Sequence, residues 1–299
     1  MFCFGPRIAT ASSVQLLLRC LTGLCALLSA APVGAQDEPL LPRWEAGLDV
    51  QIGYPGGFVQ VGENQYPGNH LSLHSDLGVD VAENLDLHVG YHLTPRDRFR
   101  FSLQMLFLDG STTLGSNDVF FNGTQLVGGT HLDTQTNFPD FFRVTALYER
   151  TLFPLFDRGT FSGRIGFTYV HLNFTLRGTI APTSPRRESK EDFNTQELPV
   201  PLLGFRLDYP FSDRIDLYGA LDGGYLPSVN SLRTEGGTVD LTQSHADLSL
   251  GASYAWSLSL SIDGGFQYTY FVQHEKSHED NNLIELSVPA LFWGATYRF

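Results

Sequence analysis

From Trp44 to the end, the chain alternates. Trp44, Ala46, Leu48, Val50, Ile52 and Tyr54 are interleaved with Glu45, Gly47, Asp49, Gln51 and Gly53. Successive side chains of a strand point to opposite faces, so a period of two marks a strand between unlike surroundings. The scheme recurs from Leu85 to Leu93, from Phe99 to Phe107, from Phe142 to Tyr148, from Ile165 to Tyr169 and from Phe205 to Tyr209. It continues from Ile215 to Leu221, from Ala246 to Tyr254, from Leu258 to Tyr270 and in a closing segment, which makes ten candidate strands. No run after Gln36 reaches the roughly 18 apolar residues of a membrane helix.

Connections between the segments have two lengths, and the lengths alternate. Short ones fall at 94–97, 152–158, 210–213 and around Ala255, and long polar ones at 55–83, 109–140, 177–195, 226–243 and 272–282. A soluble sandwich has no reason to gather its long loops at one end. Outer-membrane barrels do, with an even strand count and tight periplasmic turns. The expected fold is therefore all-β, a transmembrane antiparallel up-and-down barrel of about ten strands, with twelve as the alternative. The stretch HLSLHSDLGVDV, 70–81, also alternates, but as a membrane strand it would make an odd count. It is read as a strand or turn folded over the mouth or into the lumen. A periplasmic β-sandwich predicts the same face parity and stands as the soluble alternative.

The first 35 residues carry Arg7, Arg19 and no acid, then the apolar run LTGLCALLSA and a small-residue site before Gln36. This is the arrangement of a cleaved secretory signal peptide at 1–35, with 36–299 as a single barrel domain. Cys3, Cys20 and Cys25 all lie in that leader, so the exported part has no disulfide. Losing the leader's two arginines takes the formal charge from -13 to -15. An acid excess of this size argues against nucleic acid as a partner.

Charged residues follow the parity opposite the apolar series, as the cost of a cation on a lipid face requires. The inward set holds seven arginines (98, 100, 143, 164, 206, 214, 298) and nine acids (45, 49, 86, 149, 208, 216, 222, 247, 263). From it a lumen charge network is expected among Arg100, Arg143, Glu149, Arg164, Arg206, Asp208, Asp216, Asp222, Asp247 and Asp263. Barrels of about eight strands are filled by side chains, and open channels appear near 16. A salt-bridged filling and a minor solute path are both compatible with ten.

The chain stops mid-pattern on LFWGATYRF, 291–299. Trp293, Tyr297 and terminal Phe299 in this series resemble the C-terminal signal read by the barrel-assembly machinery of Gram-negative bacteria. The stretches SDLGVD (75–80) and PRDRFRFS (95–102) further resemble a group of small proteobacterial outer-membrane barrels. That likeness covers about the first half of the exported chain and implies no activity. It implies an outer-membrane location, with membrane lipid, lipopolysaccharide and the assembly machinery as partners. Oligomeric state stays open.

One motif suggests chemistry. HEKSH, 274–278, matches H-E-x-x-H, in which a helix sets two histidines on zinc and the glutamate activates water. The surrounding residues are those of a polar hairpin, so His274 and His278 are only weak metal candidates, and no cofactor is expected. His88 and His92 share the inward parity with Asp86, a pattern that any wet strand face shows. Sequence alone cannot assemble a nucleophile, a base and an orienting group. Loop APTSPRRESKED, 181–192, suits a solvated tip able to bind host surfaces, phage or lipopolysaccharide sugars. The functional expectation is a structural, adhesive or minor-pore role, with an outer-leaflet enzyme acting on lipid or peptide as the rival.

Overall fold

A computed structural model describes residues 43–63, 67–115, 117–136, 140–179, 187–192, 199–234 and 238–299. The signal-peptide reading of 1–35, and residues 181–186 of the loop tip, lie outside these. The described chain holds strands β1 (Trp44–Gly53), β2 (Gly56–Glu63), β3 (Leu71–Ser72), β4 (Val79–Thr94), β5 (Asp97–Thr113), β6 (Val119–Phe121), β7 (Thr124–Leu126) and β8 (His131–Thr136). The rest are β9 (Phe141–Leu155), β10 (Gly159–Thr179), β11 (Arg187–Asp192), β12 (Val200–Pro210), β13 (Ile215–Thr234), β14 (Thr238–Ala255), β15 (Leu260–Lys276) and β16 (Asp280–Arg298). No described helix is long and apolar enough to cross a membrane.

Ten strands form a closed antiparallel ring in the order β1, β4, β5, β9, β10, β12, β13, β14, β15, β16. The ring closes where β1 pairs β16, from Glu45 opposite Arg298 to Gly53 opposite Ala290. Closure leaves no edge to be covered, and it rules out the sandwich alternative. Four connections at one end have two to four residues, at 95–96, 156–158, 211–214 and 256–259. At the other end three wall positions are made in two pieces. β2 prolongs β1 along β16, β8 sits in line with β9 between β5 and β10, and β11 precedes β12 along β10.

Much of what reads as long loop is wall. β13 runs on to Thr234 and β14 begins at Thr238, and β15 and β16 are joined by a three-residue link at 277–279. Residues 70–81 are no eleventh wall strand. Leu71 and Ser72 pair with β2, a turn follows, and Val79 opens β4. Amides of Asp76, Leu77 and Gly78 donate back to Ser72 and His74, closing the turn. Leu71, Leu73, Leu77 and Val79 are all buried beneath it.

Polarity inverts along the wall. On β10, Ser162, Arg164 and Thr168 face inward, but Val170, Leu172, Phe174 and Leu176 continue that same face and are buried. The outward face turns over in step, from Phe161, Ile165 and Phe167 to His171, Asn173 and Arg177. On β16 the inward series passes from Arg298 and Thr296 to Val288, Leu286 and Ile284, while the outward one passes from Trp293 and Leu291 to Ser287 and Glu285. The half beside the short turns is thus greasy outside and wet inside. The loop-end half, hereafter the head, has an ordinary apolar core, which includes Val59, Val61, Leu71, Leu108, Phe121, Leu132, Phe174, Phe271, Ile284 and Leu286.

Candidate functional site

Inward residues of the short-turn half enclose a polar cavity of about 340 Å³. Its wall includes Arg98, Arg100, Arg143, Arg164, Arg206 and Arg298 with Glu45, Asp49, Asp86, Asp208, Asp216, Asp222, Asp247 and Asp263. Each is set there by the two-residue period of its strand. Arg143 on β9 reaches Asp247 on β14 with two hydrogen bonds of 3.1 and 2.8 Å. Arg164 on β10 donates to Asp222 on β13 at 2.6 Å. These pairs join strands that are not neighbours, so they cross the bore. Arg98 holds Glu45 at 3.0 Å and both oxygens of Glu149 at 3.0 Å, tying β5 to β1 and β9. Arg206 clasps Asp208, two residues along its own strand, through Nε and Nη2 at 2.7 to 2.9 Å, and its guanidinium lies 4.5 Å from the centre of the Tyr218 ring.

Charge-assisted, forked contacts of this kind are the strong class of hydrogen bond. Their net contribution is still small, because desolvating both charges costs as much as the attraction returns. Losing one partner is the costly event. Asp247 also accepts from Thr269 Oγ1 at 3.0 Å, so a single carboxylate joins β9, β14 and β15.

Nine of the ten charged residues expected in the lumen line this cavity, and Glu149 joins them through Arg98 and Arg164. Arg214, counted as inward from parity, does not. It stands in the 211–214 turn, exposed, with Nη1 3.5 Å from the Tyr254 hydroxyl. Of the histidines, His88 is buried against Asp49 at 3.5 Å, and His92 meets Glu45 at 3.4 Å. His245 is buried beside Phe271, with ring centres 5.0 Å apart. Trp293 and Tyr297 sit on the outward face of β16, and Phe299 is exposed. HEKSH is not helical: His274 and Glu275 end β15 on opposite faces, Glu275 is buried inward, and His278 lies in the turn. His274 Nε2 is 3.0 Å from Asn281 Oδ1, and no metal-holding group of acids and histidines occurs among the described residues.

Exposure grades along the cavity. The Arg298 and Asp208 side chains, nearest the short turns, are 42% and 32% accessible, whereas Arg164 and Asp247 are 7% and 9%. The cavity opens at the short-turn end. Past Gln104 and Arg143 lies a separate small pocket lined by Leu106, Phe141, Val170, Phe271 and Val288, which belong to the head core. Charged vestibule and apolar cap were not jointly visible in sequence, since the trans-bore pairs follow from barrel curvature and strand count.

No family model matches the chain, and no curated relative matches it. Solved structures do. The outer membrane protease OmpT from Escherichia coli overlays with a TM-score of 0.50 at 12% identity, over 89% of this chain and 99% of that one. The fold is shared. The translocator domain of the autotransporter NalP from Neisseria meningitidis (TM-score 0.37, 14% identity, 97% of both chains) and the toluene transporter TodX from P. putida (0.33, 11%, 92% of both) overlay more loosely. The likeness is to barrels, and it carries no chemistry with it.

Proposed function

We propose that this chain is an integral outer-membrane barrel that does not conduct, anchored by its short-turn half and presenting its head to the outside. The observation that carries the reading is the inversion of polarity along each wall strand. Phe101, Ile165, Phe167, Leu203, Leu250, Leu291 and Trp293 are all at least half exposed on the outer face, and they ring one half of the wall only. Soluble monomers rarely expose contiguous apolar patches beyond a few hundred Å². Hydrocarbon accounts for that half, and water for the other.

Length agrees. The 19 residues of β16, at about 3.4 Å each and about 40° of tilt, rise roughly 50 Å along the axis, twice the roughly 25 Å apolar band of such barrels. The head therefore stands clear of the lipid. Short turns and both strand ends then face the periplasm, the side on which the assembly machinery would read Trp293, Tyr297 and Phe299. Lipid and lipopolysaccharide surround the wall, and the head is the surface for adhesion.

The apolar cap is what supports a non-conducting role over a minor pore. Ions do not cross a packed hydrocarbon-like interior unpaired. Purified protein in a planar bilayer should give no conductance steps, and defined steps would overturn the reading. Unboiled protein should migrate apart from boiled protein on a gel, as a closed barrel resists detergent. Hydrolysis of added lipid or peptide by the pure barrel would favour the enzyme instead.

A further inference from the structure

Asp49, His88 and Thr296 stand in series on one patch of the vestibule wall. His88 is 5% exposed. Its Nδ1 lies 3.5 Å from Asp49 Oδ2, and its Nε2 lies 3.4 Å from Thr296 Oγ1. Each ring nitrogen therefore has its own neighbour, a carboxylate on one side and a hydroxyl on the other. In that order a carboxylate orients an imidazole and the imidazole activates a hydroxyl, on folds that share nothing else. Spacing along the chain hid the series, because its members come from β1, β4 and β16.

The strand register builds the approach in. Gly47 lies opposite His88 on one side of β1 and opposite Thr296 on the other. A Cβ at Gly47 would collide with His88 Nε2 and come within 2.9 Å of Thr296 Oγ1, so the missing side chain is what lets the ring lie across β1 toward the hydroxyl. That hydroxyl donates to Asp263 Oδ2 at 3.1 Å, and it must turn to His88 Nε2 to be activated; such contacts tighten only with substrate in place. All three groups line the cavity of about 340 Å³, within the roughly 300 to 1,000 Å³ of small-molecule sites. Arg100 lines the same cavity, diagonal to His88 in the pairing of β4 with β5, and among the described residues it forms no ion pair.

We propose that the vestibule hydrolyses small carboxylic esters, with Thr296 as nucleophile, His88 as general base and Asp49 as the residue that positions the base. Thr296 Oγ1 adds to the ester carbonyl carbon while His88 Nε2 takes the hydroxyl proton, and Arg100 receives the charge that gathers on the carbonyl oxygen. The bond from that carbon to the alcohol oxygen then breaks, and His88 gives the proton to the departing oxygen, which leaves as free alcohol. Water repeats the addition on the acyl-threonine. His88 takes its proton and hands it to Thr296 Oγ1 as the acyl bond breaks, and the carboxylic acid departs. One ester and one water give one acid and one alcohol, with no co-reactant. The site rests on the vestibule alone, so conductance steps would overturn the sealed-barrel reading and leave it standing.

Purified protein in a detergent without ester bonds, given p-nitrophenyl acetate, tests it. Saturable release of p-nitrophenol is expected, with a single acetyl adduct on the intact chain that peptide mapping places at Thr296. Thr296→Val and His88→Gln should each lower kcat by about a hundredfold or more, and Thr296→Val should lose the adduct. Thr296→Ser should retain turnover. Asp49→Asn should lower kcat about tenfold with KM unchanged, the mark of a group that acts through the base. Ser249→Ala, elsewhere on the cavity wall, should behave as the parent. Heat-shifted gel mobility verifies that each variant has folded, and the mapped adduct decides the matter on the unaltered chain if one has not. No turnover above that of boiled protein, an adduct on another residue, or turnover that survives Thr296→Val would each overturn the proposal, the last in favour of the outer-leaflet enzyme.

Discussion

At single positions the chain shows how local chemistry fixes the head. Asn122 and Gly123 have φ of 46° and 60° and form the two-residue turn between β6 and β7, the sequence pair that such tight hairpins favour. Asp118 anchors the same excursion, accepting from the Gly128 amide at 3.0 Å and from Gln125 Nε2 at 2.6 Å. These bonds, the Gly128 amide first, hold its carboxyl below the usual aspartate range. The charged form is the one the fold favours. Its contribution is therefore complete above the ordinary value of about 3.9 and is lost as pH falls through the lowered one. Amide exchange at Gly128 should accelerate over that acid range, and Asp118→Asn should abolish the pH dependence. Gly294 is constrained otherwise: an added Cβ would collide with the Asp49 carboxylate and the Leu48 carbonyl. Gly294→Val should weaken the β1–β16 seam and lower the temperature at which the gel shift is lost.

At the scale of strands, legibility in sequence followed contrast. All ten wall strands could be read over their short-turn halves, where Phe101, Ile165 or Leu250 alternates with Arg100, Arg164 or Ser249. Parts of their upper halves, 226–234 and 238–243 among them, read as long polar loop, because there Val239 and Leu241 occupy the parity that Asp247 and Ser249 hold below. An exchange of polarity between the two faces looks like a broken pattern until both halves are seen on one continuous strand. HEKSH shows the converse, a motif intact in spelling that a strand pulls apart, since neighbours on a strand point oppositely. Strand position also sets the cost of charge. Ile165→Arg, in the apolar band, should cost about 2 to 4 kcal/mol of folding stability. Thr242→Arg, outward on the head part of β14, should stay within about 0.5 kcal/mol. Denaturant titration in detergent compares the two, and equal costs would remove the distinction between stem and head.

For the molecule as a whole, the cap matters most. Phe121 and Phe174 are fully buried with ring centres 6.3 Å apart, inside a cluster drawn from the wall strands β4, β5, β9, β10, β15 and β16 and from the shorter pieces of the head. Phe174→Ala should cost about 3 to 5 kcal/mol, the usual loss for a buried ring, measured as a lower midpoint of denaturation. It should also thin the seal, so flickering current in a planar bilayer is the expected companion. Arg143→Leu, by contrast, strands Asp247 at the underside of the cap and leaves the packed Phe121 and Phe174 rings in place, so it should destabilise without current. Neither the trans-bore pairs nor the cap could be found from spacing. Arg143 and Asp247 are 104 positions apart and meet only because ten strands close to this diameter.

The change of polarity part-way up the wall also bears on how such a molecule would be delivered to a membrane. His171, Asn173 and Arg177 clothe the outside of the head, and a finished cylinder pushed through oil would drag that polar collar across it, each stripped group costing several kcal/mol. On the membrane reading proposed above, an order in which the far ends of the hairpins reach water before the sheet curls shut avoids that cost.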